Sequence, residues 1–123
     1  MRIGDAAAAA GTTPRALRLY EQRGLLPPPR RTTTGQRQYS PDDVARIRVI
    51  RHLLALGLTI DDLHSIADRL HLLVENPQRP CRRTDPGSPG AQVVDRRLAA
   101  LDTEIDRLSR LRTRLAHHTH HQP

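Results

Sequence analysis

Two sets of residues in this chain have types and spacings that could do chemistry. Arg15 and Arg18 lie three apart in a helix-forming run, and Arg30, Arg31 and Arg37 flank a turn-forming Thr34-Gly35. A guanidinium stays charged and offers a planar fork of donors that matches a phosphate, so this pattern suits a polyanion gripped along its backbone. Tyr20 and Tyr39, the only aromatic residues, stand in the same stretch. Each can pack its ring and still offer its hydroxyl to a phosphate. The second set is the single Cys81 with His117, His118, His120 and His121. A thiolate with imidazoles suits Zn²⁺, and Co²⁺ or Ni²⁺ less distinctively. The same residues fit two other roles: an unliganded thiol beside an unanchored chain end, or a redox thiol whose thiolate Arg82 and Arg83 favour. His52, His64 and His71 are scattered and suit surface or partly buried positions.

The elements that must position the arginines follow from local signals. Thr13-Pro14 starts a helix, with Thr as cap and Pro at the first position, that runs to about Arg23. Ala16, Leu17 and Tyr20 recur on one side of it, while Arg15 and Arg18 lie toward the other. A short alanine helix before it, ending at Gly11, gives support, because two turns are marginal alone. Beyond Gly24 three prolines break the helix, and Arg30–Thr33 and Gln36–Tyr39 form the arms of a basic hairpin around Gly35. A helix-turn-helix followed by such a wing is a DNA-reading device: the second helix fits the major groove and the wing follows the backbone.

Downstream, Ser40-Pro41-Asp42-Asp43 begins a helix whose Val44, Ile47, Ile50, Leu53 and Leu54 keep helical period, with Arg46, Arg48 and Arg51 on its opposite face. Thr59-Ile60-Asp61-Asp62 repeats the signal, and one further helix is expected to about Val74. Residues 75 to 90, rich in Pro and Arg and holding Cys81, make a linker long enough to be functional or mobile. A last helix is expected from Ala91 to about Ala116. In it Val94, Leu98, Leu101, Ile105 and Leu108 step by four and three, and Leu111 and Leu115 continue the stripe. That is a coiled-coil seam. No second helix of that length exists in the chain, so the expected partner is another copy.

Composition agrees and excludes other classes. The net charge is +7, all 20 basic residues are Arg, and residues 1–56 hold 10 Arg against 4 acids, which favours a polyanionic partner. At 123 residues there is room for one small domain and an extension. One cysteine suits a reducing compartment, and no apolar run reaches the roughly 18 residues of a membrane span, so a cytoplasmic protein without a membrane partner is expected. No nucleophile or acid-base motif is recognisable, so an enzyme is not expected.

The run Thr13–Leu26 (TPRALRLYEQRGLL), with Arg30-Arg31, Gly35, Arg37, Tyr39-Ser40 and Leu56-Gly57-Leu58-Thr59, resembles the MerR family of transcription regulators. The resemblance implies a mainly α fold: a winged helix-turn-helix DNA-binding domain over 1–75, a linker over 76–90, an antiparallel coiled-coil dimerisation helix over 91–116, and a His-rich tail over 117–123. It further implies a homodimer that binds an overlong promoter spacer and distorts the DNA so that RNA polymerase can use it. Arg15, Arg18, Tyr20, Arg31, Arg37 and Tyr39 match family positions that contact DNA or buttress the wing. Gln36 departs from the usual Tyr. The family's metal sensors place a cysteine before the dimer helix of one subunit near ligands after that of the other, which is where Cys81 and the four tail histidines fall. Other readings are an effector-independent DNA-bending protein, or a metal-binding protein using the tail.

Overall fold

The computed structural model describes residues 1–75 and 89–120. The chain is mainly helical: α1 (Ile3–Ala10), α2 (Pro14–Gln22), a hairpin of β1 (Arg30–Arg31) and β2 (Arg37–Gln38), then α3 (Pro41–Ala55), α4 (Ile60–Ser65), a 3₁₀ turn (Ala67–Arg69), α5 (Leu70–Glu75) and α6 (Pro89–His120). The starts obey the sequence signals. Thr13 Oγ1 accepts from the Ala16 N–H at 3.2 Å. Ser40 with Asp43, and Thr59 with Asp62, form reciprocal capping boxes. Gly11 closes α1 in the left-handed region (φ 70°), and a Cβ there would lie 2.9 Å from an Arg51 guanidinium nitrogen. Both the turn and the close approach therefore call for glycine.

The core lies between α1, α2, α3 and the α4–α5 segment, and Leu17, Leu25, Ile47, Ile50, Leu63 and Leu70 are fully enclosed. The α3 helix is the hub, packing against α1, α4 and α5. Its Arg48 and Arg51 are not a spare basic face: they donate to the carbonyls of Ala9 and Ala10 at 2.9 and 3.0 Å. Those carbonyls sit at the negative end of α1, which carries no basic residue in its own last turn, so α3 supplies the missing cations.

Two expected helix boundaries are corrected. The single helix over 59–74 is broken after Ser65: Ile66 leaves helical geometry (φ −120°, ψ 18°) and a 3₁₀ turn follows before α5. The break lets Ile66 and Leu70 both bury against the core. The last helix is longer at both ends than 91–116, so the backbone at His117, His118 and His120 is helical and not a loose tail. Cys81, the rest of the linker over 76–88, and His121 lie outside the described residues.

The first turns of α6 dock on α4, with Ala91 and Val93 buried and Arg97 donating to the Gly57 carbonyl. Beyond them the helix carries Leu98, Ile105, Leu108, Leu111 and Leu115 at 39–67% exposure. The Glu104–Arg107 ion pair lies beside this stripe, and the Asp106–Arg110 pair on the helix face away from it.

Candidate nucleic-acid interface

The α2 helix presents two faces. Leu17 and Tyr20 are buried and Ala16 partly so, whereas Arg15 and Arg18 are exposed and form no side-chain hydrogen bond or ion pair among the described residues. At its far end the helix is clamped: Arg23 pairs with Asp61, and a ring nitrogen of His64 lies 2.8 Å from the Arg23 carbonyl. The arginine face is thus held at a fixed angle to α4.

The wing pairs Arg30 with Gln38 and Arg31 with Arg37 in antiparallel register. Gly35 adopts φ 83°, a conformation that favours glycine, and its N–H donates to the Thr32 carbonyl at 2.9 Å. Arg31 folds back onto the Gly35 carbonyl at 3.1 Å, which stiffens the loop and leaves most of its guanidinium outside. Arg30 is exposed and unpaired among the described residues.

Arg37 has a different place from the other arginines. It is half-buried and pairs with Glu21 of α2 at 3.2 Å, tying β2 to that helix. Beneath this latch the Tyr39 hydroxyl is buried without a hydrogen-bond partner of good geometry, and burial raises its pKa, with Arg37 lowering it and Glu21 raising it. The Tyr39 and Tyr20 rings are core residues, 3% and 6% exposed, so Tyr39 buttresses the wing. Arg37→Ala and Glu21→Ala are each expected to destabilise the fold by about 1 kcal/mol, since the pair is only partly screened from water. The double variant should lose less than the sum. Urea unfolding in a double-mutant cycle checks this, and full additivity would remove the latch.

The sequence of this interface matches known proteins over nearly its whole length. The family described as "MerR HTH family regulatory protein" matches residues 1–70, and "MerR, DNA binding" matches residues 44–118. A Haemophilus influenzae protein named "Probable heavy metal-dependent transcriptional regulator" is 32% identical over 117 residues, covering 95% of this chain and 84% of that one. The chain belongs to the MerR family. MerR proteins are transcription regulators, not enzymes. The solved structure of the regulator PbrR691 from Ralstonia metallidurans, in complex with lead(II), is similar at 28% identity with a TM-score of 0.69, covering 94% of this chain and 82% of that one. The MerR regulator HiNmlR, lacking the sensor domain and bound to promoter DNA, shares the fold at TM-score 0.53 and 22% identity, over 96% of this chain and 89% of that one.

Within this MerR scaffold the structure brings Arg15, Arg18, Arg30 and Arg31 to the outside of α2 and the wing. It does not bring together a metal site: among the described residues no three His, Cys, Asp or Glu side chains gather. His117 and His118 are exposed on α6, where adjacent residues diverge by about 100° around the axis. The sequence reasoning missed Arg2, which stands beside the wing and α2. No motif marks it, because it reaches the site only through the folding of the chain start against β2.

Proposed function

We propose that the chain acts as a homodimer that reads promoter DNA with two copies of the α2–wing surface and changes the DNA conformation for RNA polymerase. The supporting observation is the division of labour among its arginines: Arg15, Arg18 and Arg30 are exposed without a protein partner among the described residues and Arg31 bonds only within the wing, while Arg46, Arg48 and Arg51, the last two also exposed, donate to carbonyls of other elements. Arg37 joins the surface through the latch, and Tyr20 and Tyr39 support it from within. Titrating a promoter duplex at several salt concentrations tests the reading. Each phosphate contact contributes about 0.9 to the log-log slope, and a slope near zero would exclude it.

The dimer is supported by the exposed stripe Leu98, Ile105, Leu108, Leu111 and Leu115, with partly buried Leu101 and Val94 at its base. At that base an open apolar groove of about 660 Å³ is lined by Val49, Leu53, Leu56, Leu73, Leu98 and Leu101. An antiparallel second copy would bring the far end of its own stripe, Leu111 and Leu115, toward this groove. No helix among the described residues is long and apolar enough to cross a membrane. The charge and the DNA partner support a cytoplasmic place.

The effector reading is a metal ion, Zn²⁺ in the first instance, held by Cys81 of one copy with His117, His118, His120 or His121 of the other. The heavy-metal and lead(II) relatives favour it. The described residues alone do not form such a site, and the helical backbone at 117–120 restricts which histidines can converge. Co²⁺ titration of the untagged protein and of Cys81→Ser is the test. Loss of thiolate-to-cobalt absorption and of most of the affinity in the variant is expected. Equal binding by both proteins would make Cys81 a bystander.

A further inference from the structure

At the foot of the wing, Arg2, Ile3, Arg18, Gln36 and Arg37 line a small open cleft of about 290 Å³. Three arginines line it from three elements distant in sequence: the chain start, α2 and β2. Arg2 is held in place by its neighbour, because the Tyr39 N–H donates to the Met1 carbonyl at 2.7 Å and the Met1 nitrogen donates to the Tyr39 carbonyl at 2.8 Å. Arg18 arrives on the outward face of α2. Arg37 forms the wall, its charge offset by Glu21.

No carboxylate lines the cleft, and Arg2 and Arg18 form no side-chain hydrogen bond or ion pair among the described residues. Folding has therefore brought Arg2 and Arg18 together without a protein counter-ion of their own among the described residues, in a recess whose size suits a small oxyanion and excludes a base pair. Gln36 adds an amide donor at the rim.

We propose that this cleft is a seat for one DNA backbone phosphate, held jointly by Arg2 and Arg18 with Gln36 as a third donor. A guanidinium fork on either side matches the tetrahedral oxygens, and the contact would fix the register of α2 and the wing on the duplex without reading a base. The proposal rests on the DNA-binding reading and adds to it a residue, Arg2, and a shared ligand.

The test is the salt dependence of binding of the full chain to a mixed-sequence duplex, for wild type, Arg2→Ala, Arg18→Ala and the double variant. A shared phosphate predicts that the double variant loses about 0.9 of slope per protomer. Two independent phosphates predict about 1.8 per protomer, and that result would overturn the seat. No loss of slope in the double variant, with wild type binding normally, would overturn it as well. Failure of wild type to bind any duplex would instead sink the DNA-binding reading and the seat with it. Gln36→Glu supplies an independent measure: a carboxylate in the cleft should weaken binding in the wild-type background and change little in the double variant. An equal effect in both backgrounds counts against the seat. Both arginines are exposed, so unchanged thermal melting is expected and confirms that the variants fold.

Discussion

Leu108→Arg is expected to sediment as a monomer at concentrations where the wild-type chain is a dimer. Within one chain Leu108 is 51% exposed and Ile105 60%, so the substitution costs the isolated fold almost nothing. In an antiparallel pair it places one unmatched guanidinium per copy in the seam, and an uncompensated buried charge costs about 3–5 kcal/mol. Even the lower figure weakens association by more than about 100-fold. DNA binding should fall in parallel, because two linked half-site contacts become separate events. Melting of the DNA-binding part should stay near the wild-type value. The comparison is Leu101→Arg, at a partly buried position that lines the groove against α3, which should lose both the dimer and some intramolecular stability. If Leu108→Arg dimerises as tightly as wild type, the α6 stripe is not the interface. A wild-type chain that is monomeric throughout would end the homodimer reading.

The contrast between those two leucines shows what the amino-acid order could reveal and what it could not. The starts of α2, α3 and α4 are plain, because a Thr or Ser cap followed by Pro, by acids or by both satisfies or suits the first N–H groups within four residues. The wing was plain for the same local reason: Gly35 between two basic arms. The heptad steps of α6 announced an apolar stripe without any tertiary knowledge. What escaped were roles set by contacts across the chain. Arg46, Arg48 and Arg51 look like an outward basic face by helical spacing, yet each reaches a carbonyl 21 to 41 residues away. The pairing of Arg37 with Glu21 of α2 has no signal in the spacing of either residue. Arg2 carries no local signal at all. The break after Ser65 was hidden because Leu63, Ile66, Ala67 and Leu70 keep helical period. Packing on the core, not propensity, decides where the backbone tightens.

Arg46 separates the two uses of arginine most sharply. Its Nε donates to the Leu25 carbonyl at 2.7 Å and an Nη to the Ala67 carbonyl at 2.9 Å. It therefore joins the exit of α2 to the 3₁₀ turn through α3. Burial lowers its pKa from the ordinary guanidinium value, with Asp43 pulling the other way. Arg46→Met keeps the aliphatic stem in place and removes both charge-assisted bonds, leaving two partly buried carbonyls to find water. At about 1.5–3 kcal/mol for each such bond, a total loss of about 3 kcal/mol is expected, read as a lower urea midpoint with an unchanged slope. Arg46→Lys should recover at most half, since a single ammonium on a flexible stem lacks the fork that spans two carbonyls. The salt dependence of DNA binding supplies the second readout. Where the Met variant remains folded its log-log slope should equal that of wild type, because this guanidinium serves the fold and touches no phosphate. A smaller slope with unchanged stability would return Arg46 to the DNA surface and dissolve the distinction between arginines bonded to other elements of the fold and those left to meet DNA.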